Sequence, residues 1–92
     1  MKPSWTLILD GPLDGALNMS IDAAMLDEVG RSSDPVTIVR FYQWRKPTVS
    51  LGRNQKVESA VDSAYCSAEG IDIVQRPTGG RVVLHDDELT YA

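Results

Sequence analysis

A single cysteine, Cys66, and a single histidine, His85, occur in 92 residues, which excludes an internal disulfide and leaves no ligand set for a structural or catalytic zinc. No segment approaches the roughly 20 apolar residues of a membrane span. The apolar run after Trp5 stops at Asp10, too short for a secretory signal, so a cytoplasmic protein with no membrane partner is expected. Positive charge is scarce too. Nine Lys and Arg face thirteen Asp and Glu, a net charge of −4, so no bulk field draws nucleic acid and any anion site has to be local. There is also no Walker pattern, Gly-x-Gly-x-x-Gly, Cys-x-x-Cys or His-Glu-x-x-His. P-loop hydrolysis, Rossmann cofactor binding and a metal site therefore all lack carriers.

What is present, residues 1–92, fits one small domain or part of one, with 42% hydrophobic and 24% charged residues, an ordinary folding composition. Trp5 to Leu9 predicts a strand closed by the turn cluster Asp10-Gly11-Pro12. Asn18 is placed as the cap of a helix running to about Val29, with Ile21, Met25 and Val29 as its stripe and Gly30 just past its end. Val36 to Tyr42 predicts a strand paired with Thr48 to Leu51 across Lys46-Pro47. Gln55 to Glu69 predicts one helix on the spacing of Val57, Ala60, Val61, Ala64 and Ala68, ended by Gly70. Ile71 to Gln75, Gly80 to Leu84 and a segment from Glu88 complete the strands. The order β-α-β-β-α-β-β-β predicts an α/β (α+β) domain, a mixed β-sheet with helices packed on it. Trp5, Phe41, Trp44, Ile21, Met25 and Leu26 are expected in its core.

The richest segment is Gln75-Arg76-Pro77-Thr78-Gly79-Gly80-Arg81, followed by Val82-Val83-Leu84-His85. Gly79 and Gly80, having no Cβ, can take positive φ and turn successive N–H groups toward a ligand's oxygens. Arg76 and Arg81 flank them with forked cationic donors suited to phosphate or carboxylate. Arg53, after Gly52, extends the candidate pocket, and Arg40 and Arg45 lie on neighbouring segments. His85 is a candidate site-lining residue because its ordinary pKa is near physiological pH. Cys66, in the second helix, reads as a buried or half-buried structural thiol.

The run Arg76-Pro77-Thr78-Gly79-Gly80-Arg81, with Leu84-His85 and then Glu88-Leu89-Thr90-Tyr91, resembles the glycine-loop signature of the biotin/lipoate protein ligase family, closest to its octanoyltransferase branch. Asn18-Met19-Ser20-Ile21-Asp22, Arg40-Phe41-Tyr42-Gln43-Trp44 and Pro47-Thr48-Val49-Ser50-Leu51-Gly52-Arg53-Asn54-Gln55 match in the same order. The resemblance implies the family's catalytic-domain fold, similar to class II aminoacyl-tRNA synthetases, of which this chain would be the N-terminal portion. It implies transfer of an octanoyl group from acyl carrier protein to a lysine on lipoyl domains of 2-oxoacid dehydrogenases or the glycine cleavage H protein, without a cofactor. Arg76, Thr78, Gly79, Gly80, Arg81, His85 and Arg53 would bind the acyl substrate. The family's catalytic lysine and cysteine are expected beyond Ala92, since Lys2, Lys46, Lys56 and Cys66 match neither. The alternatives are a lipoate-protein ligase using ATP and magnesium, and a lipoyl-binding subunit or fragment without activity.

Overall fold

The computed structural model describes residues 3–92; Met1 and Lys2 lie outside them. Two strand-helix-strand units follow one another. In the first, β1 (Ser4–Leu13), α1 (Gly15–Arg31) and β2 (Val36–Trp44) place β1 parallel to β2. In the second, β3 (Thr48–Leu51) is joined through two short helices, α2 (Val57–Ala60) and α3 (Ser63–Ala68), to a parallel β4 (Asp72–Gln75). Each pair then gains an antiparallel strand, β5 (Val83–His85) on β3 and β6 (Thr90–Tyr91) on β2. The result is two three-stranded mixed sheets, ordered β1-β2-β6 and β4-β3-β5, so the mixed α/β expectation holds.

The expected pairing of β2 with β3 does not form. A helical crossover gives each strand a parallel partner, and Arg45-Lys46-Pro47 carries the chain from one sheet to the other, the Pro47 carbonyl accepting from Asp72 N–H at 3.1 Å. Asp10-Gly11-Pro12 does not close β1 either. The strand runs on to Leu13 through an irregularity between Leu9 and Pro12. It lies at a sheet edge, where the N–H that proline lacks is not needed.

Helix α1 starts at Gly15, after Asp14, and contains Gly30. Asn18 is therefore no cap. Its side chain turns inward, donating to the carbonyls of Gln43 (3.0 Å) and Leu13 (3.4 Å) and accepting from Arg40 Nη2 at 2.7 Å. The predicted second helix is divided at Val61-Asp62, because the Asp62 carboxylate accepts from Tyr65 N–H at 3.0 Å and starts a new helix there.

The two sheets meet through their side chains. Met19, Tyr42 and Trp44 form one buried cluster with Val74 of β4 against it, and Val49, Leu51 and Cys66 form the other. Cys66 is buried, as expected of a structural thiol. Of the aromatics expected in the core, Trp44 is buried, Phe41 half-buried, and Trp5 is 74% exposed. Trp5, Leu7 and Leu9 alternate onto the β1 face opposite α1, where nothing among the described residues covers them. The shape agrees: extents of 51 × 27 × 16 Å and a radius of gyration of 14.7 Å, against about 12 Å for a compact chain of this length.

Candidate functional site

The loops after β3 and β4 are stitched into one ledge. Arg53 N–H donates to Thr78 O and Arg76 N–H to Leu51 O, each at 2.8 Å. Gln75 Nε2 donates to the carbonyls of Gly52, Arg53 and Gln55 at 3.2, 2.9 and 3.0 Å. The contact is close enough that a Cβ built on Gly52 would overlap the Gly80 carbonyl. Gly80 takes φ +107°, a conformation closed to side-chain-bearing residues. Gly79 does not. The expectation of positive φ at both glycines holds for Gly80 alone, because one reversal suffices to seat the loop against Gly52.

The five candidate arginines fall into different environments. Arg76 Nη1 donates to Ser50 O (2.9 Å) and Ser50 Oγ (2.7 Å), and Nη2 to the carbonyls of Gly79 (3.2 Å) and Arg81 (2.7 Å). Its fork clamps the loop from within. Arg53 and Arg81 are exposed and form no ion pair among the described residues, and Arg45 makes a loose pair with Asp14 at 3.6 Å. Arg40 is fully buried and is no candidate for a ligand anion. It is held by Asp10 (2.8 Å) and Asp22 (2.9 Å) and lies 3.9 Å over the Tyr42 ring. Burial first, and then the hydrogen bond to Asp22 at 2.8 Å, push the Tyr42 hydroxyl well above its ordinary pKa. Among the described residues, the peptide N–H groups of Gly79, Gly80 and Arg81 find no acceptor. Together with Arg53 and Arg81 they are donors that a ligand could meet.

Beside the ledge opens a cleft of about 480 Å³, within the usual range for small-molecule sites. Met19, Met25, Leu26 and Val29 of α1 form one wall, and Ile38, Tyr42 and Trp44 of β2 form another. Of the predicted site residues, Arg76, Thr78 and His85 line it, whereas Gly79, Gly80, Arg81 and Arg53 belong to the adjoining ledge. Leu26, expected in the core, is 54% exposed on the cleft wall, and Met25 is half-buried there. The 3.6-residue period marks an apolar face without telling whether protein or a ligand fills the space before it.

His85 lines the cleft, buried and stacked on Trp44 with ring centroids 4.1 Å apart. Its Nε2 lies 2.8 Å from Ser50 Oγ and its Nδ1 3.2 Å from Glu88 Oε2. Neither partner is marked by the sequence pattern around His85. Glu88 lay three residues away as a possible signal, but the Ser50 contact spans 35 positions. Burial disfavours the Glu88 anion, yet hydrogen bonds from Thr90 and His85 outweigh it and hold the carboxyl below its ordinary value near 4.5.

A folded-state pKa below the unfolded one gives stability that is present above the unfolded value and is lost as pH falls through the folded value. Wild type is therefore expected to exceed Glu88→Gln in urea-unfolding stability at pH 7. The gap should narrow between about pH 5 and pH 3. A gap constant with pH would show that the ionised form is not what stabilises.

No helix among the described residues is long and apolar enough to cross a membrane. The sequence pattern of the lipoyl protein ligase A/B catalytic domain matches residues 14–92. The octanoyltransferase LipM of Carboxydothermus hydrogenoformans is 47% identical over 90 residues, covering 97% of this chain and 33% of that protein. The octanoyltransferase LipM of Geobacillus kaustophilus is 47% identical over 91 residues, covering 99% and 32%. A solved bipartite lipoate protein ligase of Thermoplasma acidophilum superposes with a TM-score of 0.79 at 30% identity, covering 99% of this chain and 34% of that one. The chain thus spans about a third of the length of the curated relatives it matches.

Proposed function

Since the chain belongs to the lipoyl protein ligase A/B catalytic domain family, we propose that it forms the acyl-binding portion of an octanoyltransferase of protein lipoylation. Acyl carrier protein is the donor in this reading, and a lysine on a lipoyl domain of a 2-oxoacid dehydrogenase or glycine cleavage H protein is the acceptor. The working compartment is the cytoplasm. The observation that carries it is an apolar cleft ending beside a glycine loop whose N–H groups find no acceptor among the described residues. An alkyl chain fills the cleft between α1 and β2. A thioester carbonyl that gains negative charge on attack is met by the N–H groups at Gly79 to Arg81.

The amine-for-thiol exchange needs no cofactor. The groups that carry its covalent step, a lysine and a cysteine in this family, are not assigned among residues 3–92, where Cys66 is buried and Lys46 pairs with Asp72 at 3.1 Å. The ligase alternative is favoured by the likeness to a lipoate protein ligase, with Arg53 and Arg81 holding the phosphate of a mixed anhydride. It calls for ATP and magnesium. Among the described residues no three His, Cys, Asp or Glu side chains converge, so they do not fit a metal held by protein ligands alone.

The assay is octanoyl transfer by the protein at its native length from octanoyl carrier protein to a lipoyl domain without ATP. Turnover under these conditions is the expected result. Turnover only from free lipoate with ATP would make the protein a ligase. A requirement for a second chain would make it a lipoyl-binding subunit. Gly80→Val should lower transfer about 100-fold or more, the cost of losing one positioned donor. Near-normal turnover in that variant would remove the loop from the mechanism.

A further inference from the structure

Six side chains form one continuous hydrogen-bond chain between the cleft wall and the glycine loop, its donors converging on Glu88. Trp44 Nε1–H donates to Thr90 Oγ1 at 2.8 Å, and the Thr90 hydroxyl donates to Glu88 Oε2 at 2.6 Å. The same carboxylate oxygen faces His85 Nδ1 at 3.2 Å, while His85 Nε2 lies 2.8 Å from Ser50 Oγ, which accepts from Arg76 Nη1 at 2.7 Å. The Glu88 end of the chain has its proton positions set by its chemistry. An ionised carboxylate only accepts and a guanidinium only donates. His85 Nδ1 must therefore carry a proton toward Glu88, and in the neutral ring the Ser50 hydroxyl, which accepts from Arg76 Nη1 on one lone pair, turns its own proton to a bare Nε2.

Both ring nitrogens are engaged, and one ring face is covered by Trp44. We infer that His85 is the central strut of this relay and not a proton-transfer group, and that Ser50 and Glu88, neither of which lines the cleft, are positioning residues. Through Ser50 the relay holds Arg76 on the carbonyls of Gly79 and Arg81, and so sets where the loop's N–H groups point. This deepens the acyl-transfer reading and rests on it.

The first test is spectroscopic and uses no substrate. A two-bond proton–nitrogen correlation spectrum of the native-length protein, with His85 identified by its loss in His85→Gln, should show the Nδ1–H tautomer. Glu88→Leu should convert it toward Nε2–H, whereas Glu88→Gln keeps an acceptor and should keep Nδ1–H. A wild-type ring with bare Nδ1, or one unchanged in Glu88→Leu, overturns the relay.

The second test is kinetic. Glu88→Leu should lower kcat for octanoyl transfer about 100-fold through misplacement of the loop, and Glu88→Gln should stay within about tenfold of wild type. Equal kcat in all three would overturn the positioning role. The residual activity of His85→Gln should keep the wild-type shape of the pH profile; loss of one limb would make His85 a general base. If the wild type transfers no octanoyl group at all, the acyl-transfer reading falls and the positioning role with it, while the ring spectrum still decides the relay.

Discussion

Gly52→Ala is expected to destabilise the protein by about 3 kcal/mol, the upper end for overpacking a tight site, and to abolish octanoyl transfer. The added methyl would meet the carbonyl oxygen, carbon and nitrogen of Gly80, all backbone atoms, so no rotamer change can relieve it. The two loops would have to part. That parting would stretch the Arg53 N–H to Thr78 O bond and the Gln75 contacts to 52–55. Gly79→Ala supplies the contrast. A Cβ there meets nothing within 4 Å and the backbone is not in the left-handed region, so stability should change by less than about 1 kcal/mol. Urea unfolding of the two variants measures the difference, and equal midpoints would show that the 52–80 contact does not constrain the loops.

Arg40→Ala should cost about 3 to 5 kcal/mol, because removing one member of a buried ion pair strands its partners. Asp10 and Asp22 would both lose their cation, and Asn18 would lose a donor to its side-chain oxygen and another to its carbonyl. The loss extends to Tyr42, whose hydroxyl donates to the same Asp22 carboxylate and whose ring lies under the guanidinium. Arg40→Lys should recover little, since a single ammonium cannot reproduce a fork that reaches Asp10, Asp22 and Asn18 at once. Thermal unfolding of both variants is the check. A lysine variant as stable as wild type would mean that charge alone, without the planar donor geometry, holds this junction of β1, α1 and β2.

These two positions also mark how far the sequence could be read. Gly80 and its flanking arginines were visible as a local pattern, because a glycine pair between cations announces itself within six residues. Gly52 was visible only as the end of a strand. Its importance comes from Gly80, 28 positions away in sequence and in van der Waals range in space. Arg40 read as one cation among five available to a ligand. Only packing shows that Asp10, Asp22 and Asn18, from β1 and α1, enclose it. Likewise Leu26 and Met25 read as core, and Trp5 as a core aromatic. A hydrophobic period reports which residues share a face but carries no information about what lies opposite.

The sequence by itself determined the element types, the glycine loop, the structural thiol and the family, because these rest on short-range periodicity, turn chemistry and ordered motifs. The tertiary structure alone decided that β2 and β3 part into separate sheets, that Arg76 faces inward as a clamp while Arg53 and Arg81 remain exposed, and that Ser50, His85 and Glu88 join in one relay. Each of these depends on strand pairing and burial between residues distant along the chain, where hydrogen-bond partners are chosen by the whole fold and not by neighbours in sequence.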